Sequence, residues 1–75
     1  MLPQNSDMNL IREIVENITE SADELLAKGK NNLNPVEQGQ LWAYAEALSI
    51  IRDTLSGYDL KAISLDFDID EKYLA

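Results

Sequence analysis

Ile11, Val15, Ile18, Ala22 and Leu25 recur at steps of four and three, with Leu10, Ile14 and Leu26 beside them. That spacing gathers the apolar side chains on one side of a helix, in a pattern of coiled-coil type. It predicts a first helix over residues 7–28. The N-cap residues Asn5-Ser6-Asp7 mark its start; Lys28 in the last turn and Gly29 at the left-handed position beyond mark its end. A second series, Leu41, Tyr44, Leu48, Ile51 and Leu55, predicts another helix over 34–56. Its start carries Asn34 as N-cap, Pro35 at the first helical position and Glu37 at the third, the residues of a capping box. Gly57 is its stop. The short polar connection Lys30-Asn31-Asn32-Leu33 between helices of similar length makes them antiparallel neighbours.

The segment 58–75 reads differently. Asp59-Leu60-Lys61-Ala62-Ile63 fits a short helical turn, whereas Leu65-Asp66-Phe67-Asp68-Ile69-Asp70 alternates strictly, which favours an extended strand-like run. Asp68 with Glu71 three residues on equally fits the cap of a final turn containing Tyr73 and Leu74. Residues 1–6 read as a loose leader.

Helix two carries more apolar surface than one neighbour covers. At ~100° per residue, Ala43, Ala47 and Ile50 fall on a second arc away from the first helix, with Trp42 beyond them beside the polar Glu46, Ser49 and Asp53. Small side chains at Ala43 and Ala47 admit another backbone, and Ile50 and Trp42 supply area, each worth roughly 1.5–3 kcal/mol or somewhat more when buried. The expectation is an all-α chain: an antiparallel hairpin with a short C-terminal segment, assembling as a homodimeric four-helix bundle through Trp42, Ala43, Ala47 and Ile50. The alternative is a tail that folds back, with Leu65, Phe67 and Ile69 as its contacts, covering that arc within one chain.

Size and composition sharpen this. A chain of 75 residues buries only about 60% of its unfolded surface, so it needs a staple or a partner. With no cysteine and no histidine, disulfides, thiolate nucleophiles, imidazole bases and the usual zinc and haem ligand sets are excluded. Fourteen acidic residues against six basic ones give a net charge of −8, which repels nucleic-acid backbones and anionic membrane surfaces. The apolar run from Leu41 to Ile51 is interrupted by Glu46 and Ser49, far short of the ~20 residues that span a bilayer. No secretory signal opens the chain, and a cytoplasmic location is expected.

Candidate chemistry is sparse. Asp66, Asp68 and Asp70 are spaced like the start of a calcium loop, but Glu71 stands where that loop needs glycine, so solvated acids alternating with buried apolar residues are the better account. No metal, cofactor or catalytic set emerges, and an enzyme is not expected. Glu13, Glu16, Glu20, Asp23 and Glu24 form an acidic stripe along the outer face of helix one. The sequence thus points to a small acidic helical module for protein–protein interaction, of the adaptor, inhibitor, antitoxin or immunity type found in bacteria and phages. Trp42 is its first candidate contact. A second reading has the acidic stripe imitate nucleic-acid phosphates and block a DNA-binding protein.

Overall fold

The computed structural model describes residues 5–75, with side chains from Asp7 onward. Its elements run α1 (Asn5–Ala27), a 3₁₀ turn (Lys30–Asn32), α2 (Pro35–Thr54), a second 3₁₀ turn (Leu60–Ile63) and the short α3 (Ile69–Tyr73). The protein is all-helical, with two long helices, a short third and no strand among the described residues. Of the expected leader, residues 1–4 lie outside the described residues, and α1 already includes Asn5 and Ser6. No helix among the described residues is long and apolar enough to cross a membrane.

The hairpin turn is set by local chemistry. Gly29 takes φ 87° and ψ 131°, a positive-φ backbone that favours glycine but is not the left-handed helical conformation, and its N–H returns to the Leu26 carbonyl at 2.9 Å. The Asn32 amide donates to the Lys28 carbonyl at 2.8 Å, tying the end of α1 to the turn. Asn34 then opens α2 with a full capping box: Glu37 N–H donates to Asn34 Oδ1 at 2.8 Å, and Asn34 N–H donates to Glu37 Oε1 at 3.1 Å. Lys28, the residue just past α1, also pairs with Glu37, so the end of α1 is tied to the first turn of α2.

The tail resolves the two readings of its alternating run. It is neither a strand nor a continuous helix. Asp59 caps the second 3₁₀ turn through Lys61 N–H at 3.1 Å, Ser64 ends it in the left-handed conformation at φ 62°, and Asp68 caps α3 through Glu71 N–H at 3.1 Å. Between the caps, Leu65 and Ile69 are buried and Phe67 half-buried, while Asp66, Asp68 and Asp70 are exposed. The period of two therefore persists as an in-out alternation along an irregular chain.

One core holds the three parts together. Val15, Ala22 and Leu25 of α1, Leu41, Ala45 and Leu48 of α2, and Ile63, Leu65, Ile69 and Tyr73 of the tail are all buried in it. The second 3₁₀ turn packs on α1 and α3 packs on α2, so the tail lies along one side of the hairpin. That placement moves the buried centre of α2. Ala45 is fully buried, whereas Tyr44 and Ile51, on the arc expected to meet helix one, are only half-buried.

Candidate functional site

The folded tail leaves the opposite side of the hairpin open. Among the residues with described side chains, five large apolar ones are exposed: Leu10, Ile14, Val36, Trp42 and Ile50. Because the helices run antiparallel, the first half of α1 lies beside the last turns of α2. There Ile11, Ile14, Ile50, Ile51, Thr54 and Leu55 line a groove of about 250 Å³ whose walls are almost wholly hydrocarbon. Ile50 is 58% and Ile14 48% exposed at its rim. Ala47, half-buried, and Ala43, exposed, continue along α2 from this groove.

Trp42 is 64% exposed but lies elsewhere. It borders a depression at the turn end of the molecule, with Lys30, Leu33, Gln38, Leu41, Tyr73 and Leu74. The four residues singled out on helix two are thus divided between two locations: Ile50 at the open-end groove, and Trp42 beside the tail. The division follows from the helical angle, since Trp42 stands ~100° from Ala43 and ~80° from Ile50. Leu65, Phe67 and Ile69, the tail contacts named from the sequence, are turned into the chain's own core and its border.

The acidic stripe forms a third region. Glu16, Glu20, Asp23 and Glu24 line a broad trough with Thr19, Ala27 and Ser64, while Glu13 stands at the other side of Glu16 beside Leu10 and Arg12. Its charge is partly compensated from within. Arg12 approaches Glu16 at 3.6 Å, and Lys72 Nζ reaches Asp23 at 3.2 Å. Among the described residues, no group of three or more acidic side chains is arranged to hold a metal ion.

Asp23 is also the acceptor of the tail's anchor. The Tyr73 hydroxyl donates to Asp23 Oδ1 at 2.9 Å, and the Tyr73 ring, 1% exposed, meets Phe67 edge to face at 6.2 Å between centroids. Lys72 lies over both rings, 4.9 Å from the Phe67 centroid and 5.1 Å from that of Tyr73. Burial first, and then the hydrogen bond to Asp23, push the Tyr73 hydroxyl well above its ordinary pKa. Sequence inspection missed this lock. Asp23 and Tyr73 are 50 positions apart, and each matches a commonplace pattern on its own: an acid on a solvated helix face and an aromatic in a terminal turn.

Comparison with protein-family models, with curated proteins and with solved structures finds no match to this chain. The functional reading therefore rests on the surfaces themselves. One is the apolar groove at the open end of the hairpin, and another the mixed polar and apolar depression beside Trp42. The third is the acidic trough, in which Asp23 and Glu16 are engaged by neighbours in the same chain.

Proposed function

We propose that this protein is a small non-enzymatic helical module that works through protein–protein contact and self-associates, in the manner of an adaptor, inhibitor, antitoxin or immunity-type factor. One observation carries the reading: Ile14 and Ile50 stand about half exposed at the rim of one hydrocarbon groove, although the tail has already folded onto the hairpin. The intramolecular solution has been used, and apolar surface remains. Contiguous apolar surface rimmed by polar residues is the usual mark of an interaction site. Burying an isoleucine contributes roughly 1.5–3 kcal/mol, a large fraction of what a domain of this size has in total. A homodimeric four-helix bundle is the simplest closed assembly that meets this demand.

The acidic trough supports phosphate mimicry less far, because Asp23 is committed to Tyr73 and Lys72 and Glu16 faces Arg12. The test of self-association is solution mass by light scattering across a concentration series. A mass that rises from one chain to two with concentration is the expected result, and a single-chain mass throughout overturns the self-associating reading.

A further inference from the structure

We infer that the side of the hairpin facing away from the tail seats a second copy of this chain about a twofold axis, with Ile50 of each copy entering the groove beside Ile14 of the other; this deepens, and rests on, the self-association proposed above. The argument begins with charge. In a chain of net charge −8, the outward positions on this side between Leu10 and Ser21 of α1 and between Gln40 and Ile50 of α2 are Leu10, Ile14, Asn17, Ser21, Gln40, Ala43, Ala47 and Ile50, none of which carries a charge; Asp7 and Lys28 bound that stretch at the two ends of α1. The carboxylates of α1 are turned to its other flank, where Glu16, Glu20, Asp23 and Glu24 line the acidic trough. A cationic partner finds nothing to pair with along this stretch. A second copy presents the same neutral stretch, so a symmetric pair keeps the two acidic troughs on its outside.

Shape agrees. Ala43 and Ala47 make a low ridge that lets two α2 helices approach closely, and Ile50 at its end is a projecting side chain next to a groove of about 250 Å³. Knob and groove lie on the same surface, which is the self-complementarity a twofold interface requires. The uncharged stretch from Gln40 to Ile50 extends ~15 Å along α2 at 1.5 Å per residue, so the interface it offers is a small one that stops short of the turn. Trp42 is outside it.

The test uses sedimentation velocity on the full chain and four variants, with circular dichroism to establish that each remains helical. Ile50→Glu and Ile14→Lys are each expected to weaken dimerisation at least tenfold, because each leaves a charge facing hydrocarbon. An equimolar mixture of the two is expected to recover a dimer, since one contact becomes a Glu–Lys pair and the other stays Ile–Ile. Ala43→Glu is expected to weaken the dimer as well, and Trp42→Glu to leave it unchanged. If the unmodified chain dimerises but Ile50→Glu does so equally well, or if Trp42→Glu dissociates it, the assigned face is overturned while self-association stands. Helical variants that fail to recover on mixing overturn the seating of Ile50 against Ile14. A monomeric unmodified chain overturns both the face and the self-association.

Discussion

Ile69 and Ile50 are the same side chain in two opposite situations. Ile69 is fully buried, held in a five-residue helix that is too short to be stable alone and exists because Asp68 caps it and the core receives it. Ile50 is 58% exposed on a 20-residue helix that has its own capping box and is already anchored in the core through Leu41, Ala45 and Leu48. On the tail side, packing makes the secondary structure. On the open side, the secondary structure is already made and presents apolar groups, Ile14 and Ile50, that are about half exposed in the single chain. Buried core and exposed apolar surface are thus separated onto two sides of one hairpin, and substitutions on the two sides are expected to have different consequences.

The largest contrast is between Ile69→Ala and Ile50→Ala. Removing the Ile69 side chain leaves a cavity in the core and is expected to destabilise by about 2–5 kcal/mol. That is enough to detach the tail or unfold the chain. Ile50→Ala, measured at a concentration where the chain is monomeric, is expected to change stability by no more than about 0.5 kcal/mol. Urea unfolding followed by circular dichroism measures both. Equal losses at the two sites would abolish the distinction, and would place Ile50 in the monomer's own cooperative core.

The two sides were also unequally legible in the sequence. Both long helices follow from the step of three and four, and the second was fixed at its start by Asn34, Pro35 and Glu37, whose hydrogen bonds are local. The excess apolar surface on α2 was legible for the same reason. What the sequence concealed is how the tail meets the hairpin. Alternation from Leu65 to Asp70 is compatible with a strand, and only the contacts of Leu65 and Ile69 with the core, together with the Asp68 cap, select an irregular path ending in a helical turn. That choice depends on residues far away, as does the burial of Ala45, a small residue on the side of α2 that the tail covers. The division of Trp42 from Ala43, Ala47 and Ile50 was latent in the 100° step, but its meaning required knowing which flank the tail occupies.

The Tyr73 lock gives a smaller and pH-dependent handle on the covered side. Tyr73→Phe keeps the ring and deletes the hydroxyl that donates to Asp23, and is expected to cost about 1 kcal/mol. Because the folded chain raises the Tyr73 pKa, the hydroxyl stays protonated when folded at a pH where an unfolded tyrosine has begun to ionise. Its contribution is complete below the unfolded value of ~10 and is lost as pH rises from there toward the folded value. The unmodified chain should therefore lose stability above pH ~10 more steeply than Tyr73→Phe, as read by urea midpoints at successive pH values. Parallel curves would mean that the hydroxyl–Asp23 bond is not retained in solution.

The smallest effect lies at the turn, which both sides of the hairpin share. Glu37 is held below its ordinary pKa by the Lys28 ammonium first and by the Asn34 N–H second, against a weaker opposing effect of desolvation. A lowered folded pKa means that the contribution is present above the unfolded value of 4.5 and fades as pH falls through the folded one. The site is exposed, so salt screens the Lys28 part of it, while the capping bond from Asn34 N–H is short-ranged and persists. Glu37→Gln keeps an acceptor for Asn34 and removes the charge. It should flatten the fall in thermal midpoint between pH 5 and about 3 relative to the unmodified chain, and the difference should shrink in 0.5 M salt. Because this turn fixes how α1 and α2 are joined and makes no contact with the open-end groove, the same substitution should leave self-association unaltered at pH 7. A weakened dimer would carry the interface up to the turn, and would tie together the two sides that the tail and the open face otherwise keep apart.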